Sequence, residues 1–362
     1  MKRLLASGAL LALAGAIAPA SAQETTPSGA LGGVVRSTLG DRIPYALVAL
    51  EPGYPWRFTD DSGSFRFLDL PPGTYHLRAR QVGFKPLDTS VVVTGDGALV
   101  VAVALEHLVV ELEAIRVVAR SGATERCTEP GPPDPAVDPE FASVFDQLRL
   151  NAERYWLLAD SYPAVFRVER RFGHPGRGDG RLAVERIDTV DLRTDARWHY
   201  APGRVLSEVP GTGGAETQMN LPGLPDLADT AFLANHCFSF AGLEELDGRT
   251  YARLDFVAAD AIGEPDASGS AYLDPATYLI RLTRVRLTRP VRASSDLQSL
   301  EVTEVFREVV PSLVLPDRIS SVQTSRVLDA GAHIWWPRTV ERVEEQRTVG
   351  FSFLRPLAAQ RP

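Results

Sequence analysis

One stretch of the chain, between Asp138 and Ala159, carries its apolar residues at steps of three and four: Phe141, Val144, Phe145, Leu148, Ala152, Tyr155, Trp156 and Ala159. Asp138 stands where an N-cap belongs and Pro139 at the first helical position, where the missing N–H costs nothing. The spacing predicts a helix of about six turns with one apolar face. It is the one convincing helix of the mature chain. Nearly everything else is written as short runs that alternate apolar and polar residues between turn signals, so the fold has to be mainly β.

Two blocks of such runs flank a proline-rich linker. In residues 29–119, Gly32–Val35 leads to a turn at Leu39–Arg42, and Ala46–Leu50 follows as a buried strand. Arg57–Thr59, the turn Asp60–Gly63 and Ser64–Phe67 come next, with Phe65 and Phe67 on one face at period two. Leu70-Pro71-Pro72-Gly73 is a further turn, since Pro presets φ and Gly accepts φ > 0. Tyr75, Leu77 and Ala79 then alternate with His76, Arg78 and Arg80, and Ser90–Val93, Leu99–Leu105 and Glu113–Val118 complete the block. About seven short strands in so few residues predict a β-sandwich.

The same residues carry a resemblance. Gly32-Gly33-Val34-Val35, Ile43-Pro44-Tyr45-Ala46-Leu47-Val48, Thr59-Asp60-Asp61-Ser62-Gly63-Ser64-Phe65, Leu70-Pro71-Pro72-Gly73-Thr74-Tyr75-His76-Leu77 and Val82-Gly83-Phe84 stand in the order and spacing of the carboxypeptidase regulatory-like domain. The resemblance implies a transthyretin-like, immunoglobulin-like (Ig-like) sandwich, often placed just after the signal peptide of outer-membrane receptors. Val110–Ala119 also resembles the segment that follows this domain in TonB-dependent receptors. The remainder is too short for the plug and barrel of such a receptor.

Residues 120–137 read as a linker, because Pro130, Pro132, Pro133 and Pro135 exclude a continuous helix or a central strand. Residues 138–355 read as an α+β domain: the helix, then strands at Ala164–Arg171, Leu182–Leu192, Thr250–Val257, Gly269–Leu273, Tyr278–Leu287, Leu300–Val309, Ile319–Arg326 and Trp336–Val349. Apolar residues alternate with arginines in Tyr278–Leu287, the habit of an antiparallel sheet with one wet face. Leu273–Tyr278 reads as a hairpin turn, and Gly203–Asp229 as a long loop. One helix with about eight antiparallel strands is similar to periplasmic half-barrels of the lipoprotein-carrier type; the alternative is an unclassified α+β domain.

Residues 1–22 have the three parts of a secretory signal: Lys2 and Arg3, the apolar run Leu4–Ala18, and the small residues Ala20, Ser21 and Ala22. The alternative, a retained membrane anchor, is disfavoured by an apolar run shorter than the roughly 20 residues of a span, and no later stretch is a candidate transmembrane helix. The chain is therefore expected to be exported, to the periplasm or the outer membrane. Its formal charge of −8 becomes −10 once Lys2 and Arg3 are removed, and Lys85 is the only other lysine. With no basic block to track phosphates, nucleic acid is not an expected partner. Cys127 and Cys237 are the only cysteines, and in an oxidising compartment they are expected to form one disulfide; two buried free thiols are the alternative.

The chain lacks the catalytic motifs sought in it. No His is followed two residues later by Glu, there is no His-Glu-x-x-His, no Gly-x-Ser-x-Gly elbow and no phosphate-binding glycine loop. No cofactor or metal is expected. Asp60 and Asp61 before Gly63 fit a structural turn better than a cation site. His236 fits a partly buried structural role, and Glu244, Glu245 and Asp247 before Gly248 fit a hairpin turn, as do Asp188 and Asp191 beside a strand. Trp335, Trp336, Tyr155 and Trp156 fit core or sheet-face positions before a sugar or lipid platform. These readings predict a noncatalytic cell-envelope protein that uses its sandwich as an interaction module, with an envelope protein, a glycan or an apolar ligand as partner. The alternatives are carbohydrate binding through Tyr54, Trp56 and Tyr75, carriage of a lipid or apolar ligand by the C-terminal domain, or an unrecognised hydrolase there.

Overall fold

The computed structural model describes residues 28–95, 97–110, 126–176, 181–194, 198–211, 214–327 and 337–354. The signal-like segment, the strand expected at Glu113–Val118, the first part of the linker, and Trp335 and Trp336 lie outside the described residues.

The sandwich has seven strands: β1 (Gly29–Ser37), β2 (Leu47–Glu51), β3 (Tyr54–Phe58), β4 (Ser64–Leu70), β5 (Gly73–Arg80), β6 (Leu87–Val93) and β7 (Ala98–Leu105). They form a three-stranded sheet, β4-β1-β7, and a four-stranded sheet, β3-β2-β5-β6. Period two decides the faces: Phe65 and Phe67 of β4 and Tyr75, Leu77 and Ala79 of β5 all enter the core between the sheets. The Asp60 carboxylate accepts from the backbone N–H groups of Ser62 and Ser64, at 2.9 and 2.8 Å, so it is spent on closing its own turn. Gly63 in that turn has φ +74°, and a Cβ there would come within 2.8 Å of the Ile43 carbonyl oxygen.

Helix α1 (Pro139–Ser161) begins where Asp138 accepts a 2.9 Å hydrogen bond from Phe141 N–H and ends just before Pro163. After it come β8 (Ala164–Pro175), β9 (Leu182–Arg193), β10 (Leu206–Gly211), β11 (Gly214–Met219), β12 (His236–Leu246), β13 (Arg249–Ala258), β14 (Ala267–Leu273), β15 (Ile280–Leu287), β16 (Leu297–Val310), β17 (Leu313–Val327) and β18 (Arg338–Phe353). Nine of them make one antiparallel sheet in the order β12-β13-β14-β15-β16-β17-β18-β8-β9, which is not closed into a barrel. The meander from β12 to β18 is completed by the earlier β8–β9 hairpin, which adds on beyond β18.

Three features differ from the sequence reading. The sheet has a ninth strand, β12, where no strand is expected. The segment read as a long loop holds the β10–β11 hairpin and a 3₁₀ turn at Leu224–Ala228. Asp188 and Asp191 do not flank a turn: they lie within β9 and pair with Arg170 and Arg167 of β8.

Helix α1 is buried on more than its apolar face. Val144, Phe145, Leu148 and Leu158 share one core with Phe166, Leu254, Phe256, Ile280 and Phe306 of the sheet and with Leu47, Phe58 and Val82 of the sandwich. Gln147, Asn151 and Arg154, spaced four and three apart on another face, are also buried. The Gln147 side-chain oxygen accepts from Gly83 N–H of the sandwich at 2.8 Å. Asn151 binds the sheet, donating to the Tyr278 carbonyl at 2.9 Å and accepting from Ile280 N–H at 3.1 Å. Arg154 donates to the Tyr45 carbonyl and the Gln81 side-chain oxygen of the sandwich. Two sequence motifs meet here, since Gly83 of Val82-Gly83-Phe84 lies against Thr277 of the Asp274–Tyr278 hairpin.

The disulfide is formed, between Cys127 and Cys237, across 110 residues of sequence. Gly131 N–H donates to the His236 carbonyl at 2.9 Å and Asp260 N–H to the Cys127 carbonyl at 2.8 Å, so the linker lies along β12. The linker is thereby pinned to the first residues of the edge strand β12.

Candidate functional site

Strand alternation places Glu304 of β16, Ile319 of β17 and Gln346 of β18 in one cross-strand row, because Glu304 faces Ile319 and Ile319 faces Gln346 in the ladder. Together with Tyr155 of α1, these side chains line two adjoining cavities of about 480 and 570 Å³ between the helix and the sheet. The smaller is walled by Phe166, Val168, Leu192 and Pro316 and, beside them, by the charged Asp191, Arg193, Asp317 and Arg318. The larger adds Trp198, Met219 and Leu221 from the segment around the β10–β11 hairpin and the polar side chains of Asn220, Ser321, Gln323 and Glu344. The result is a groove in which apolar walls and hydrogen-bonding groups stand side by side in both cavities.

Two of its carboxyl groups, Glu304 and Asp226, have pKa values raised by burial. Burial pushes the Glu304 pKa up to about 7; a hydrogen bond from Leu224 N–H opposes this and the charge of Asp226 adds to it. Burial likewise pushes Asp226 up to about 6, against a 2.9 Å hydrogen bond from Gly223 N–H. Near neutral pH this pair can hold or release a proton and can therefore donate to, or accept from, a polar group in the groove. The 3₁₀ turn Leu224–Ala228 holds Asp226 in place, and Trp156 secures that turn to α1 by donating to the Pro225 carbonyl at 2.6 Å. Among the described residues, no three His, Cys, Asp or Glu side chains are grouped so that they could hold a metal ion.

The residues singled out in the sequence are dispersed. Tyr75 is buried in the sandwich and donates to the Pro71 carbonyl at 2.9 Å. Tyr54 packs edge-on to Tyr75 and Phe67, whereas Trp56 packs against the core shared with α1. The three are not brought together as one exposed platform. His236 is fully buried, stacked 3.8 Å from Phe232, with its ring nitrogens 2.9 and 3.0 Å from the Phe232 and Ala267 carbonyl oxygens. Burial pushes its pKa down despite Asp266 at 3.6 Å, and the contacts are those of a structural residue. Glu244 pairs with Arg253 at 2.9 Å. Asp247 and Gly248, with φ of +51° and +73°, form the tight turn between β12 and β13. Tyr155 and Trp156 do line the groove. Glu304 and Asp226 escaped the sequence reading, since a lone Glu in an alternating strand and an Asp in a Gly/Pro-rich loop both read as solvated.

Comparison with known proteins places the first block. No curated protein matches the chain in sequence. Among solved structures, a minor pilin of Streptococcus agalactiae is 17% identical with a TM-score of 0.20, over 23% of this chain and 46% of the pilin, so the chain spans about half of that protein. A candidate carbohydrate-binding protein from Pseudomonas aeruginosa is 20% identical with a TM-score of 0.18, over 23% of this chain and 92% of that one. A candidate outer-membrane lipoprotein-sorting protein domain from Vibrio parahaemolyticus is 10% identical with a TM-score of 0.32, over 60% of this chain and 93% of that domain. The family match covers residues 30–106 and stops short of Ala119, leaving the C-terminal domain unassigned. Residues 30–106 of this chain are a carboxypeptidase regulatory-like domain.

Proposed function

We propose that the chain is a noncatalytic, exported cell-envelope protein whose C-terminal domain takes up an amphiphilic ligand and whose sandwich is an interaction module fixed to that domain. The observation that carries this reading is the groove between α1 and the open sheet, where Phe166, Val168, Leu192 and Trp198 stand beside Gln323, Glu344 and Gln346. A filled core there would have favoured a scaffold. A groove of such mixed lining suits an acyl chain with a hydrogen-bonding head group. Export is supported by the signal-like N-terminus and by a disulfide, which persists in oxidising compartments.

Titration of the purified mature protein with cis-parinaric acid tests the proposal. Saturable binding is expected, and Ile319→Trp, which fills the junction of the two cavities, is expected to weaken it at least about tenfold. No saturable binding by the folded parent protein, or equal binding by a folded Ile319→Trp variant, overturns the proposal.

A further inference from the structure

A separate cavity of about 560 Å³ opens where the sandwich meets α1, lined by Leu47, Trp56 and Arg80 from the sandwich and by Glu153, Trp156 and Asp160 from the helix. We infer that this junction pocket binds a pyranose ring of an oligosaccharide. Each domain contributes one indole, and indole rings offer the large, flat apolar area on which the C–H face of a sugar packs. The polar groups around them are fixed in place. Arg80 Nη1 donates to Glu153 Oε2 at 2.8 Å, while Arg149 holds Glu153 Oε1 at 3.0 Å, so both oxygens of that carboxylate are oriented before any ligand arrives. The Arg80 guanidinium also lies 5.9 Å from the centre of the Trp56 ring. Asp160 is exposed in the last turn of the helix.

Flat aromatic faces beside oriented charged groups suit a ring that bears several hydroxyls, each able both to donate and to accept. An acyl chain would take the Arg80–Glu153 ion pair out of water without adding a polar contact, and so would be disfavoured. The sugar site suggested by sequence, with Tyr54 and Tyr75, is thus replaced by one that keeps Trp56 and recruits the helix. It exists only in the docked chain, because neither domain alone supplies both indoles. Trp156 is a wall of this pocket and of the ligand groove, which makes its emission a reporter for either.

The mature chain is titrated with cellotriose, maltotriose and chitotriose by calorimetry, with tryptophan emission followed in parallel. At least one trisaccharide should saturate and shift the emission, and Trp56→Leu and Asp160→Ala should each weaken it about tenfold or more. Asp160→Ala alters an exposed side chain and keeps the test decisive where Trp56→Leu fails to fold. It should leave cis-parinaric acid binding unchanged, which separates this site from the groove. Saturation by none of the three sugars, unchanged affinity in Asp160→Ala, or displacement of the sugar by cis-parinaric acid overturns the assignment.

Discussion

Arg154 on helix α1 donates a 2.6 Å hydrogen bond to the side-chain oxygen of Gln81 in the sandwich, at a point where both side chains are about 1% exposed. The guanidinium also donates to the Tyr45 carbonyl and lies 5.3 Å from the centre of the Phe58 ring, but its Nε and Nη2 are buried without a partner. Burial lowers its pKa to about 9, which still leaves it charged at neutral pH. A charge held by two neutral acceptors and an aromatic face is an expensive way to join two domains.

The first prediction follows from that imbalance. Gln81→Ala removes an acceptor from a charge that stays buried, and should destabilise the fold by about 1–3 kcal/mol. Arg154→Met keeps most of the side-chain length and removes the charge, so its cost should be smaller, or its effect stabilising. Urea melts of the two variants decide the order, and an Arg154→Met variant less stable than Gln81→Ala would show the charge to be net favourable.

Stability should also depend on pH through Glu304 and Asp226. Their folded pKa values, about 7 and about 6, lie above the ordinary 4.5 and 3.8, so the folded state binds more protons than the unfolded one. Their contribution is full below about pH 4 and is lost as the pH rises through 6 to 7. Glu304→Gln should therefore match the parent near pH 4 and exceed it by on the order of 1–3 kcal/mol at pH 8, as read from denaturant midpoints. A stability difference that stays constant between those pH values would contradict the raised Glu304 pKa.

Much of the fold was legible because alternation and caps are local. Asp138 and Pro139 marked the start of α1, and eight of the nine strands of the large sheet were written in period two. Strand β12 was not, because an irregularity between Phe240 and Gly242 breaks the alternation. The domain junction was hidden for a different reason. Gln147, Asn151 and Arg154 form a polar stripe, and an amphipathic pattern assigns such a stripe to water; here its hydrogen bonds reach the sandwich and the sheet. The groove was illegible because cavity walls come from strands far apart in sequence, as with Phe166, Glu304 and Gln346.

The Cys127–Cys237 bond closes a long loop and ties the linker to the edge strand β12. Replacing both cysteines by serine should cost up to about 5 kcal/mol in the chain-entropy account. Hydrogen exchange should then show the amides of Gly131 and Asp260 losing protection before those of α1, since their bonds hold the linker in place. Unchanged protection at Gly131 would mean that the backbone pairing alone secures the linker.

Asn151 provides the sharpest test of the second link made by α1. Its amide donates to the Tyr278 carbonyl and its oxygen accepts from Ile280 N–H, so one side chain satisfies two backbone groups at the point where the chain leaves the Asp274–Tyr278 turn and enters β15. Tyr278 itself has φ +56°, a conformation that a bulky residue keeps only when its surroundings enforce it. Asn151→Ala should leave both backbone groups buried and unpaired, at a cost of about 2–5 kcal/mol, whereas substitution of the exposed Asp160 on the same helix should cost less than about 0.5 kcal/mol. Asn151→Asp keeps the acceptor for Ile280 N–H but sets a carboxylate oxygen against the Tyr278 carbonyl. Its loss should therefore exceed that of Asn151→Ala at pH 7 and diminish when the carboxylate is protonated in acid. Denaturant midpoints at pH 7 and pH 4 measure both effects, and an Asn151→Ala variant as stable as the parent would remove the link from α1 to β15.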